Sequence, residues 1–182
     1  MNELRPLISA VQIAQRVEEM GRAITRDFAD QRIVFVGVLK GAAIFLADLA
    51  RQVQLDATFD FIGVSSYGAR PTPDQELSGW DSTEEVRLTK DLDQSVAGKN
   101  IILVEDILDT GLTLTFIKKL LLARDPKALR VATLLDKPSR RKLPFHADYV
   151  GFTIPDEFVV GYGLDYAEMY RNLADICVVP RQ

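Results

Sequence analysis

The stretch Ile101-Ile-Leu-Val-Glu-Asp-Ile-Leu-Asp-Thr-Gly-Leu-Thr113 decides the fold. Its first half is the clearest strand in the chain, an apolar run ended by two acids and introduced by a turn at Gly98-Lys-Asn100. Thr113–Ala123 then reads as a helix. A strand this apolar is covered on both faces, which is the habit of parallel sheets flanked by helices. Between strand and helix, Asp109 to Thr113 should form a tight loop whose backbone N–H groups converge near the helix N-terminus, an anion site. Gly111 allows close backbone approach, and Thr110 and Thr113 add hydroxyls. The Walker pattern is absent, which argues against nucleoside triphosphate hydrolysis. Carboxylates repel phosphate but accept hydrogen bonds from sugar hydroxyls, so Glu105 and Asp106 suit a ribose whose 5′-phosphate lies in the loop.

The same alternation extends in both directions. Residues 9–28 read as a helix with Val17, Met20, Ile24 and Phe28 on one face and Ser9 and Gln12 at capping-box spacing. Strands are expected at 33–38, 59–66, 130–135 and 148–152, with shorter ones at 86–90, 158–160 and 176–179, and a helix at 42–51. Residues 68–85 hold Gly68, Pro71, Pro73, Gly79 and many acids without a period, and read as a long mobile loop. The expected architecture is a mainly parallel α/β sheet of about five strands, with ligands at the strands' carboxyl ends.

Composition narrows the class. The 182 residues fit one domain, and 47% hydrophobic with 26% charged residues is the globular norm. A net charge of −4 argues against nucleic acid as partner. Cys177 is the single cysteine, so no intrachain disulfide can form, and it reads as core. No apolar run is long enough for a membrane helix. The opening Met1-Asn-Glu-Leu-Arg-Pro6 leads into a polar amphipathic pattern and lacks a signal-peptide core. A cytoplasmic protein starting at its natural end is the expectation. The single histidine, His146, reads as surface, as do Asp91, Asp93 and most of the basic cluster Lys137-Pro-Ser-Arg-Arg-Lys142, a subunit contact being the other reading of that cluster.

Residues 104–113 resemble the phosphoribosyl pyrophosphate motif of type I phosphoribosyltransferases. Leu39-Lys-Gly41, Ser65-Ser-Tyr-Gly68, Lys90-Asp-Leu92, Leu135-Asp-Lys137 and Phe158-Val-Val-Gly-Tyr-Gly-Leu-Asp-Tyr-Ala-Glu-Met-Tyr-Arg-Asn172 lie around it in family order. Together they resemble the hypoxanthine-guanine, or 6-oxopurine, branch over nearly the whole chain. Two departures are visible. Leu112 stands where some relatives carry Lys, and the segment after Tyr67 is longer and more acidic than in typical bacterial relatives.

The resemblance implies a Mg²⁺-dependent reaction of 5-phosphoribosyl 1-pyrophosphate with a 6-oxopurine, giving a nucleoside monophosphate and pyrophosphate. It places the ribose phosphate on Glu105, Asp106, Asp109, Thr110, Gly111, Leu112 and Thr113. It places pyrophosphate on Lys40, Gly41 and Arg171, with a cis peptide after Leu39. Asp109 becomes the base that takes the purine N7 proton as C1′ is attacked. Lys137 would donate to the purine O6, Phe158 would stack on the base, the Val159 backbone would meet its edge, and Asp165 would bind Mg²⁺, with Glu105 and Asp106 at most indirect. Ser66 and Tyr67 would form the base of a lid over 68–85. The single domain would have its core over about 30–155 and a hood from the N-terminal segment and about 156–182, and relatives suggest a homodimer or homotetramer. Hypoxanthine, guanine and xanthine stay open, because backbone carbonyls are expected to read the purine 2-position. A regulator using this fold to bind nucleic acid is the rival from another class, and it should carry a broad basic face.

Overall fold

The computed structural model describes residues 4–66 and 86–180. In chain order the elements are β1 (Arg5–Ile8), α1 (Ala10–Asp27), β2 (Ile33–Leu39), α2 (Ala43–Arg51), β3 (Ala57–Ser66), β4 (Val86–Lys90), β5 (Asn100–Leu108), α3 (Leu112–Leu122), β6 (Ala128–Asp136), a 3₁₀ turn (Pro138–Arg140), β7 (Tyr149–Thr153), β8 (Val159–Val160) and β9 (Ile176–Val178).

The main sheet has the order β4-β3-β2-β5-β6-β7. The strands β3, β2, β5, β6 and β7 pair in parallel, which is the expected set of five. A sixth strand, β4, adds an antiparallel edge, Ser66 pairing with Val86. Parity along the central strands sorts the core. Ile33 and Phe35 of β2, with Ile102 and Val104 of β5, pack in the cluster under α1 and α2. Val34, Val36 and Val38, with Ile101 and Leu103, pack in the cluster under Leu114, Ile117 and Leu121 of α3. Both faces are therefore buried, and each such side chain contributes roughly 1.5–3 kcal/mol by leaving water. Helix α1 begins where Ser9 and Gln12 form a reciprocal capping box, and it buries Ile13, Val17, Met20 and Ile24.

A second, three-stranded sheet of order β1-β9-β8 is antiparallel throughout. Arg5 pairs with Val178 and Ile8 with Ile176, so it joins residues from opposite ends of the sequence. Asp175 Oδ1 accepts the Ala10 N–H at 2.7 Å, placing a carboxylate at the start of α1. Strand β1 was not anticipated: one of its four residues is buried and Pro6 breaks the propensity. Its existence depends on a partner distant in sequence.

Candidate active site

Parallel strands end together, and the chain leaving them builds a cleft of about 450 Å³ at their carboxyl ends. Leu39 and Gly41 at the end of β2, the 105–114 run from the last residues of β5 onward, and Arg140 after β6 line it, and Asp165 and Arg171 close it from the segment between β8 and β9. A hollow of about 480 Å³ lies at the opposite end of the sheet, among Thr25, Gln31, Gln54 and Asp56. It precedes β2 and β3, where no strand-to-helix loop presents its N–H groups.

The floor of the first cleft is the anticipated anion loop. Gly111 caps α3 with φ of 84°, and no side chain takes the helix's leading N–H groups in a cap. The one local contact is from Leu112 N–H to Thr110 Oγ1 at 3.3 Å. Helix α3 starts at Leu112, one residue earlier than the sequence suggested.

The basic cluster after β6 corrects an expectation. It reads as solvated surface in the sequence, but it braces this loop. Lys137 N–H donates to Leu108 O at 2.9 Å, and the N–H groups of Lys142 and Leu143 donate to Thr110 O at 2.9 and 3.1 Å. Arg141 donates to Leu108 O at 3.1 Å, to Asp109 O, and to the Asp136 carboxylate. Arg140 Nε lies 3.1 Å from Asp109 Oδ1, with Nη1 3.9 Å from Asp156 Oδ1. The signal available in the sequence was position: these residues directly follow a strand end on the cleft side.

Glu105 and Asp106 stand side by side at the end of β5. Burial pushes the Glu105 carboxyl well above the ordinary carboxylate range, and the neighbouring Asp106 charge adds to it. Burial raises Asp106 as well, while its hydrogen bond with Glu105 and the Arg171 charge pull it down. The pair therefore holds a proton more readily than two separate acids would. Gly41 is required beside them: a Cβ there would lie 1.7 Å from Asp106 Oδ2.

The Leu39-Lys40 peptide is cis. Lys40 is exposed, and its Nζ lies 2.8 Å from Glu168 Oε2. Arg171 Nη2 lies 2.8 Å from Asp165 Oδ1 and 3.5 Å from Glu168 Oε2, and Nη1 donates to Gly163 O at 2.7 Å. Glu168 is pulled below its ordinary value, chiefly by the Lys40 hydrogen bond. The sequence reading gave Glu168 no role. The Asp165 carboxylate accepts from Arg171 and, through Oδ2, from Glu168 N–H at 2.8 Å. Each of its oxygens has a second lone pair, a hard donor of the kind Mg²⁺ takes. Among the described residues no three His, Cys, Asp or Glu side chains gather as a metal cluster.

Lys137 is buried at the end of β6, its Nζ 4.0 Å from Asp156 Oδ1. Phe158 meets the Tyr166 ring edge-on at 5.7 Å, and Val159 is buried in β8. Lys137, Phe158, Val159 and Lys40 are not among the residues that line the cleft. His146 is exposed and Cys177 buried, as expected. Asp91 pairs with Arg124 at 2.8 Å. Ser66 ends β3, and Tyr67 with the expected lid 68–85 lies outside the described residues.

A cleft floored by an anion loop, after a strand ending in two acids, is the arrangement that the resemblance to phosphoribosyltransferases implies. The phosphoribosyl transferase domain family matches residues 8–167, and the chain belongs to that family. Its similarity runs further, to one branch. It is 46% identical over 169 residues to the hypoxanthine phosphoribosyltransferase of Salmonella typhimurium, covering 92% of this chain and 90% of that one. It is 47% identical over 173 residues to the hypoxanthine-guanine phosphoribosyltransferase of Bacillus subtilis, covering 95% and 91%. A crystal structure of a hypoxanthine-guanine phosphoribosyltransferase from Bacillus anthracis superposes with a TM-score of 0.88 at 49% identity, covering 98% of this chain and 100% of that one.

Proposed function

We propose that this chain serves purine salvage by transferring the 5-phosphoribosyl group of phosphoribosyl pyrophosphate to hypoxanthine or guanine, giving IMP or GMP and pyrophosphate. The observation that carries this reading is the open-capped loop at Gly111, which shares one cleft with the Glu105–Asp106 pair and the Arg171 cation, Lys40 being joined to Arg171 through Glu168.

In the reaction the purine N9–C1′ bond forms as the C1′–O bond to pyrophosphate breaks. The transition state is oxocarbenium-like, and the N7 proton must leave the base. The backbone N–H groups from Thr110 to Thr113, with the two threonine hydroxyls, hold the 5′-phosphate. Glu105 and Asp106 accept from the ribose hydroxyls. Asp109 takes the N7 proton, and its carboxylate also faces the positive charge developing at C1′. Lys40, the Gly41 backbone and Arg171 receive the pyrophosphate, Arg171 through its planar fork. Lys137 donates to O6, Phe158 stacks on the purine, and the Val159 backbone meets its edge. Mg²⁺ fits Asp165, with remaining ligands from water and substrate, and would neutralise charge on the leaving pyrophosphate.

We read the chain as one domain in which the small sheet is the hood over the cleft. No helix among the described residues is long and apolar enough to cross a membrane. A cytoplasmic homodimer or homotetramer completes the reading.

The test is turnover with phosphoribosyl pyrophosphate, Mg²⁺ and each base in turn. Hypoxanthine and guanine should release one pyrophosphate per nucleotide formed, with xanthine as the comparison arm. Asp109→Asn should lower kcat by about 10²–10⁴ while calorimetric affinity for phosphoribosyl pyrophosphate stays. No turnover with any of the three bases would overturn the reading, and near-normal kcat in the variant would remove Asp109 from the proton transfer.

A further inference from the structure

Glu168 takes no part in the transfer described above, yet its carboxylate sits where two cations meet. Oε2 is 2.8 Å from Lys40 Nζ and 3.5 Å from Arg171 Nη2. Chance placement of a flexible surface acid does not account for this, because its backbone is held in an uncommon form. Ala167, Glu168 and Tyr170 have φ of 50°, 66° and 73°, a left-handed run that residues with side chains seldom adopt. Asp165 Oδ2 accepts the Glu168 N–H at 2.8 Å, and Tyr166 and Met169 exchange backbone hydrogen bonds at 3.2 and 3.0 Å across the same turn. Backbone of this kind concentrates where a site needs a side chain in a set place.

The Arg171 guanidinium carries a second sign. Its Nη atoms reach Gly163 O, Asp165 and Glu168, but Nε is buried and has no hydrogen-bond partner among the described residues. A buried donor left in this state carries a cost that a change of partners at Arg171 could recover. Glu168 itself keeps 46% of its side chain exposed, so swinging it into water demands little desolvation.

We propose that Glu168 is an internal stand-in for the leaving group: it neutralises Lys40 and Arg171 in the empty enzyme and withdraws when a diphosphate takes the same two cations. The inference rests on reading Lys40 and Arg171 as the pyrophosphate cations. A diphosphate carries more charge and more acceptor oxygens than one carboxylate, so it wins the exchange. When the product leaves, the carboxylate returns and favours its departure. Exposed ion pairs of this type typically shift an equilibrium by about two- to threefold each, so removing both should move diphosphate affinity about three- to tenfold.

The test is calorimetric titration of inorganic pyrophosphate, in Mg²⁺ buffer, into the full chain and its Glu168→Gln, Glu168→Ala and Glu168→Asp variants. Gln and Ala should bind about three- to tenfold tighter than the native chain, and Asp close to it. Product inhibition by pyrophosphate should strengthen by the same factor, while IMP affinity, which reports the 110–113 loop, stays. Equal or weaker pyrophosphate binding in both Gln and Ala variants overturns the proposal, weaker binding making Glu168 a residue that orients Arg171 for the ligand. Turnover by the native chain is measured alongside: native turnover with no tightening in the variants sinks this inference alone, and a native chain that neither turns over nor binds pyrophosphate sinks the functional reading with it.

Discussion

Lys137 keeps 8% of its side chain in contact with solvent, an uncommon place for an ammonium. Asp156 lies 4.0 Å away. A purine O6 would supply an acceptor at that buried donor, whereas the adenine amino group would offer a second donor. Lys137→Met should lose roughly 1–3 kcal/mol of transition-state binding for hypoxanthine. Steady-state kcat/KM for hypoxanthine and adenine checks it, and an unchanged hypoxanthine value assigns O6 elsewhere. Glu105 yields a prediction on pH. Burial first, and the Asp106 charge next, raise its folded-state value, so the folded chain keeps this proton where the unfolded chain has lost it. Stability from this group is therefore complete below the unfolded value near about 4.3 and falls as pH rises through the raised range. Glu105→Gln mimics the protonated form. Without ligand it should melt with the native chain near pH 4 and at progressively higher temperature than the native chain toward pH 8. A native advantage that grew with pH would mean that the ionised carboxylate is the favoured form.

At the scale of elements, the segment after β6 does more than connect. Arg141 ties the Asp136 carboxylate to the Leu108 and Asp109 carbonyls where β5 enters the anion loop, and its side chain is 16% exposed against 19% for Asp136. Removing one partner leaves a charge without its counterpart in a poorly solvated place, which costs about 3 kcal/mol, the low end for buried pairs because some water remains. Urea unfolding of Arg141→Met should show that loss, and adding Asp136→Leu should recover part of it. A double variant as unstable as the single one would assign the stability to the loop carbonyl contacts instead. This contribution was illegible beforehand because a run of Pro, Ser, Arg and Lys has no period, and charge without period reads as solvent-facing. The α1 start was legible for the opposite reason: the Ser9–Gln12 box is local, and both of its hydrogen bonds form within one turn.

Across the molecule, the continuous apolar runs at 33–38 and 101–104 carried the fold, since only a sheet covered on both sides buries them. They could not say which parity meets α3 and which meets α1 and α2, a matter of handedness in the crossovers. The anion loop and the Glu105–Asp106 pair were legible because they sit at strand ends, where α/β sheets hold ligands, whereas the Gly41 approach to Asp106 was not. The Arg140–Asp109 contact and the Glu168 position were not, because each joins residues that share no element. The segment that carries Asp165, Glu168 and Arg171 is fixed at the end of the chain by β9, and β9 is fixed by β1.

That last pairing has a consequence in time. Arg5 leaves the ribosome well before its partner Val178. At about 5–20 residues per second, β1 waits on the order of ten to thirty seconds for β9. During that interval the nascent chain can lay down β2, β5 and the anion loop, while β1 carries an unmet row of N–H and C=O groups. A four-residue strand interrupted by Pro6 is a poor template for a neighbouring nascent chain. The brevity that hid β1 from its own sequence thus also guards it on the polysome, and the segment that carries Asp165 and Arg171 can be anchored only after β9 has met β1.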